Sequence, residues 1–170
     1  MKVGFALSPG GLLLPYHLGV LDTLQQTGRL VPEENPVAGS SAGAIATMAY
    51  GCGIAMPKIL EATIAVSDTC AQRRGARGRL LPLLEEQMEA LVGDEEFGHF
   101  QERQGMIGIA YTEVFPRQQA FLQTEFDSRQ ELFQAVSWSC MFPFFSTNWP
   151  CKLDTSSKNG IPRLMVDGFF

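Results

Sequence analysis

Five residues, Gly39-Ser40-Ser41-Ala42-Gly43, constrain the fold of this chain more than any other segment. They follow a short apolar run, Asn35-Pro36-Val37-Ala38, and lead into Ala44-Ile45-Ala46-Thr47-Met48-Ala49. Strand, G-x-S-x-G, then helix is the pattern of a chain that turns sharply with a serine at the tip, the nucleophile elbow. The positions two residues either side of that tip must lack side chains, and Gly39 and Gly43 meet the demand. The spacing therefore puts Ser41 at the tip, flanked by Ser40 and Ala42. A hydroxyl held there is exposed at a helix N-terminus, whose dipole favours developing negative charge. With 17 glycines in 170 residues, the pentapeptide alone is only a hypothesis. A serine nucleophile also needs a base and donors for an oxyanion.

Strand and helix patterns alternate along the rest of the chain. Residues 2 to 8 read as a central strand and Ser8-Pro9-Gly10-Gly11 as a turn. Leu14 to about Gly28 has helical spacing at Leu14, Leu18, Leu21 and Leu24, with Pro15 suited to its first turn and Gly28 to its stop. Pro36 to Gly39 is the strand before the elbow, and the helix after it ends near Gly51-Cys52-Gly53. Two more helices are predicted over 57–73 and 80–92, separated by a basic loop from Arg73 to Arg79. That loop reads as solvated, with contact to anionic headgroups as the alternative. Met106 to Val114 and Gln119 to Thr124 are strand-like, joined by a turn at Pro116. Ser128 and Glu131 form a capping box before a helix over Leu132 to about Cys140, and Arg163 to Val166 is the last strand. Asp94 to Gln104 reads as a polar stretch and Lys152 to Gly160 as a surface loop.

This alternation predicts an α/β layer structure with a mostly parallel sheet, formed by a single domain over 1–170. A net charge of −5 and a pI near 5.0 argue against nucleic acid as a partner. The four cysteines lack C-x-x-C spacing, so buried free thiols are expected rather than a disulfide framework or a metal site. No secretory signal opens the chain, and no apolar run reaches the roughly 20 residues that span a bilayer. A cytoplasmic protein is expected, with peripheral contact to a membrane or lipid droplet left open and no protein partner named.

In such sheets, ligands sit beyond the carboxyl ends of the strands. Gly10-Gly11, Ser41 and Asp167 all follow strand candidates and should converge there. Gly10 and Gly11 offer backbone N–H groups for an oxyanion, since glycine allows close approach. The segment matches neither common phosphate-loop pattern, and a plain structural turn remains open. The base is narrowed by elimination. A Ser…Asp/Glu…His triad needs a histidine after the acid, but only His17 and His99 occur. His17 reads as a packed helix residue and His99 as solvent-facing. Asp167 could instead act directly on Ser41 as general base. For an apolar substrate, Leu12-Leu13-Leu14 and Met141-Phe142-Pro143-Phe144-Phe145 are candidate contacts, as are Trp138 and Trp149, with core packing as the alternative for each.

The Gly-rich turn after the first strand, Gly39-Ser40-Ser41-Ala42-Gly43, Ser139-Cys140-Met141-Phe142-Pro143-Phe144-Phe145 and Val166-Asp167-Gly168 together resemble the patatin-like phospholipases. Pro15-Tyr16-His17-Leu18-Gly19-Val20 and Glu125-Phe126-Asp127-Ser128-Arg129-Gln130-Glu131-Leu132 are similar to the adiponutrin and adipose-triglyceride-lipase branch in particular. The resemblance covers essentially the whole chain. It implies a patatin-like three-layer α/β/α fold and a lipid acyl hydrolase acting on phospholipids or acylglycerols through an acyl-serine, without metal or organic cofactor. It also implies Ser41 as nucleophile, Asp167 as its base, and Gly10 and Gly11 as the oxyanion hole. Pro9, Leu13, Leu14 and Phe169 depart from the family's usual motifs. The chain also stops at Phe170, where the family continues, so a C-terminally incomplete domain is expected. Two other readings stand beside this one. One is a catalytically weak lipid-binding relative. The other is a conventional triad whose histidine lies beyond residue 170.

Overall fold

Among the described residues, six strands and six α-helices follow one another as β1 (Phe5–Leu7), α1 (Leu14–Gln26), β2 (Val37–Ser40), α2 (Ala42–Gly51), α3 (Met56–Gln72), α4 (Leu80–Leu91), α5 (Asp94–Gln101), β3 (Ile107–Phe115), β4 (Gln119–Gln123), α6 (Arg129–Ser139), β5 (Lys152–Asp154) and β6 (Arg163–Asp167). This computed structural model describes residues 3–155 and 160–170. The helices predicted over 57–73 and 80–92 are α3 and α4, displaced by a residue or so at their ends.

The strands form one sheet in the order β1-β2-β3-β6-β5, with β4 also paired to β3. β1, β2 and β3 are parallel neighbours, while β4 and β6 run against β3 and β5 runs against β6. Four of the six strands thus share one direction, in keeping with the mostly parallel α/β/α architecture expected. The first strand stands at the sheet edge rather than at its centre, with Ala6 exposed.

Register along β3 decides where the site can form. β2 pairs with Ile107 to Ala110, and β6 pairs with the stretch from Tyr111 to Phe115. β4 pairs with Ile109 to Glu113, overlapping both, so it must occupy the opposite edge. β2 and β6 therefore lie end to end on one edge of β3, running toward each other. Their carboxyl ends meet, with Ser40 opposite Ala110 and Asp167 opposite Tyr111. The predicted convergence occurs, but by this head-on meeting and not by a shared strand direction.

α2 lies at the middle of the packing. Nine of its ten residues are buried, as a helix without a polar face must be. It touches β1, β2, β3, α1, α5 and α6. Small residues permit this: a Cβ on Gly51 would press into the Phe100 ring at 2.7 Å. Met48, Tyr50, Ile107 and Ile109 fill the core around it, each contributing about 2 kcal/mol by leaving water.

Two segments that read in the sequence as a polar stretch and a surface loop contain regular elements. Asp94 to Gln101 is helix α5, because Glu96 caps the Gly93 amide at 2.9 Å and Phe100 is fully buried against Phe126. Lys152 to Asp154 is strand β5, held to β6 by backbone pairing and by Arg163 on Asp154 at 2.6 Å. Residues 156–159 of that predicted loop lie outside the described residues. α6 begins earlier than expected, at Arg129. Ser128 caps the Glu131 amide at 3.2 Å, but Glu131 accepts from the Asp127 amide at 2.9 Å instead of completing the reciprocal box.

Candidate active site

Ser41 sits between β2 and α2 with φ 55° and ψ −122°. That region is nearly closed to residues with a side chain and costs on the order of 1–3 kcal/mol. The surroundings enforce it. A Cβ on Gly39 would collide with the Gly43 carbonyl and the Thr47 hydroxyl, and one on Gly43 would strike the Leu7 carbonyl. Both glycines are required so that β1, β2 and α2 can come this close.

Three consecutive residues at the end of α6 clamp the elbow. The buried Ser139 hydroxyl accepts from the Ser41 amide at 2.8 Å and donates to the Ala110 carbonyl at 2.6 Å. The Cys140 thiol donates to the Ser41 carbonyl at 3.4 Å, and the Met141 carbonyl accepts the Asp167 amide at 2.9 Å. Burial pushes the Cys140 thiol far above its ordinary pKa, so it serves as a neutral donor. Neither Ser139 nor Cys140 was picked out by sequence pattern as an active-site residue. Their signal lay in polar side chains on an otherwise apolar helix end.

Asp167 is 1% exposed. Burial raises its pKa above the ordinary aspartate value, while the neighbouring Ser41 hydroxyl and the Phe169 amide pull it down without cancelling the shift. The Phe169 N–H donates to Oδ1 at 2.9 Å. Gly168 fits only as glycine, since a Cβ would collide with the Ser40 hydroxyl and approach the Ala110 carbonyl at 2.7 Å.

Gly10 and Gly11 stand in the turn after β1, Gly11 with φ 51°. Among the described residues neither amide donates to another protein group, while the Gly10 carbonyl receives the Leu13 amide at 2.9 Å. Pro9, Gly10, Gly11, Ser41, Ala42 and Asp167 all border one groove of about 1000 Å³. Its walls continue along Ile45, Ile64, Val66, Cys70, Leu80 and Leu84.

Of the expected apolar contacts, Leu12, Leu13, Leu14, Phe142 and Phe145 line this groove. Trp138 does not. It is buried against Tyr111 and beneath Arg163. Trp149 lies outside the groove lining and is 72% exposed. Neither histidine reaches the groove. His17 is buried, its Nε2 close under Gly10 at 3.0 Å from where a Cβ would stand. The exposed His99 is beside Gly53, near the far end of α2.

A strained serine between strand and helix, backed by a mostly parallel sheet, defines an α/β protein of the serine-elbow class. The family model for patatin-like phospholipase matches residues 5–168, and the chain belongs to that family. No individual curated protein matches it.

Proposed function

We propose that the protein is a serine lipid acyl hydrolase working through a Ser41–Asp167 dyad. The observation that carries this reading is that the strained Ser41 and the buried Asp167 carboxyl border one apolar groove. Asp167 accepts the hydroxyl proton as Ser41 Oγ attacks an ester carbonyl. The Gly10 and Gly11 amides, together with the N-terminus of α2, stabilise the oxyanion. Asp167 returns the proton to the departing alcohol, leaving an acyl-serine. The same carboxylate then takes a proton from the attacking water and returns it to Ser41 Oγ as the acyl–oxygen bond breaks, which frees the fatty acid and restores both residues.

The groove receives the acyl chain, so the substrates are phospholipids or acylglycerols, acted on at a membrane or droplet surface. The segments Pro15 to Val20 and Glu125 to Leu132 support the adiponutrin and adipose-triglyceride-lipase branch. No helix among the described residues is long and apolar enough to cross a membrane. Hydrolysis of a short-chain nitrophenyl ester by wild type and Ser41→Ala tests the reading. Wild type should turn over and the variant should not. Equal rates in the two would sink it and favour a lipid-binding relative.

A further inference from the structure

The loop between α3 and α4 carries Arg73, Arg74, Arg77 and Arg79, all exposed. Among the described residues none of the four forms an ion pair. They gather four of the chain's 13 Lys and Arg into seven positions of a protein whose net charge is −5. The charge carried by this loop is therefore opposite in sign to the net charge of the chain.

This basic loop is fastened to a second, aromatic loop over 142–149. Gly78 N–H donates to the Phe145 carbonyl at 2.8 Å, Leu81 N–H to the Ser146 carbonyl at 2.9 Å, and Arg77 Nε to the Phe144 carbonyl at 3.1 Å. The second loop leaves Phe142, Phe144, Phe145 and Trp149 exposed. Both loops contribute to the groove that Ser41 borders: Ala76 and Leu80 from the first and its junction with α4, Phe142 and Phe145 from the second. Leu12 and Leu13, 75% and 65% exposed, border the same groove from the Gly10-Gly11 turn. The basic and aromatic loops thus flank one opening, which they reach through Ala76, Leu80, Phe142 and Phe145, while the arginines, Phe144 and Trp149 stand outside its lining.

We propose that this rim docks on an anionic phospholipid surface, with the arginines at the phosphates and the aromatic and leucine side chains at the headgroup–acyl boundary. Aromatic rings with one wet side favour that boundary, and clustered cations near an anionic leaflet add about 1 kcal/mol each. An uncharged acylglycerol surface offers the arginines no counter-charge. A second copy docked through the same rim would bring the two arginine clusters together. The docking gives the acyl hydrolase reading a route for substrate into the groove, but it requires no turnover of its own.

Co-sedimentation with phosphatidylcholine vesicles, with and without phosphatidylglycerol, tests the proposal. The protein should bind the anionic vesicles more tightly and lose that advantage at high salt, where screening shortens to about 3 Å at 1 M. Arg73→Gln/Arg74→Gln should bind anionic vesicles about 30-fold more weakly, with hydrolysis of a soluble short-chain ester unchanged. Arg73→Lys/Arg74→Lys should retain the binding, which separates charge from folding. Trp149→Ser should weaken binding to both vesicle types. Ser41→Ala should bind like wild type, so an inactive enzyme would leave the docking result standing. Equal affinity for the two vesicle types, or an undiminished Gln variant, overturns the proposal. So does a solution dimer that Trp149→Ser dissociates while wild type ignores vesicles.

Discussion

Ser40 and Asp167 end two strands that meet head-on along one edge of β3, opposite its consecutive residues Ala110 and Tyr111. This meeting brings the elbow and the carboxyl together, although Ser40 and Asp167 are 127 positions apart in the chain. Ser139, Cys140 and Met141 hold the junction from the side, with hydrogen bonds to the backbone of both Ser41 and Asp167. The proposed dyad would therefore rest on the ends of regular strands and a helix, which favours a fixed distance between hydroxyl and carboxyl.

Asp167→Asn should abolish turnover and stabilise the fold. Burial sets the Asp167 pKa above the ordinary 3.8, so the native state holds that proton more tightly than the unfolded chain. Stability linked to this carboxyl is full in acid and is lost as pH rises through the raised pKa. A neutral asparagine of the same shape escapes that loss. The variant should melt above wild type at neutral pH, and the gap should close below about pH 3.8. Wild-type kcat should also fall in acid, with its inflection above 3.8, because the base must be ionised to accept the Ser41 proton. Melting curves that coincide at neutral pH would contradict the burial argument.

Ser41→Gly should be inactive yet more stable than Ser41→Ala. Both remove the hydroxyl, but only glycine relaxes the conformation at φ 55°. The expected difference is about 1–3 kcal/mol, measured by denaturant unfolding of the two variants side by side. If alanine proves as stable as glycine, the strain assigned to the elbow is absent.

Ser139→Ala should cost about 1–3 kcal/mol, because it strands the Ser41 amide and the Ala110 carbonyl without their buried partner. Activity should drop with stability, since the elbow loses a hold that fixes its tip. Ser139→Thr keeps the hydroxyl and should recover part of the rate. A fully active, fully stable alanine variant would show that the clamp is dispensable.

His17→Gln and His99→Ala should leave the acid limb of the pH–rate profile in place. His99 lies beside Gly53, away from the groove, and its loss should be silent. His17 packs beneath Gly10, so its variant should shift kcat modestly through the turn without approaching the loss in Ser41→Ala. An inactive, folded His99→Ala would argue for a histidine base.

Ser41 and the alternation of strand and helix were legible because both rest on local demands. G-x-S-x-G encodes two close backbone approaches, and leucine spacing encodes a buried helix face. What escaped local reading depended on distant partners. Asp94 to Gln101 looks polar, yet one buried ring, Phe100, and one capping carboxylate, Glu96, make it a helix. Lys152 to Asp154 becomes a strand only because β6 lies beside it. The reversed direction of β6 follows from its pairing with β3, which no spacing within residues 163 to 167 could reveal. Trp138 reads equally well as groove or core until its burial in edge contact with Tyr111 decides it.

The groove itself makes a length prediction. Ser67 is exposed on α3 and borders the groove among Ile64, Val66 and Cys70. Ser67→Phe places a ring in the apolar channel without disturbing the packed core. Each methylene kept out of the groove forfeits about 0.8 kcal/mol of transfer free energy. On a series of nitrophenyl esters from butyrate to palmitate, kcat/KM of wild type should climb with chain length and then level. The variant should match wild type on butyrate and fall progressively behind as the chain lengthens, by about tenfold for every two methylenes displaced. A uniform drop across the series would point to damage at Ser41 instead, and an unchanged series would mean the acyl chain does not lie along α3.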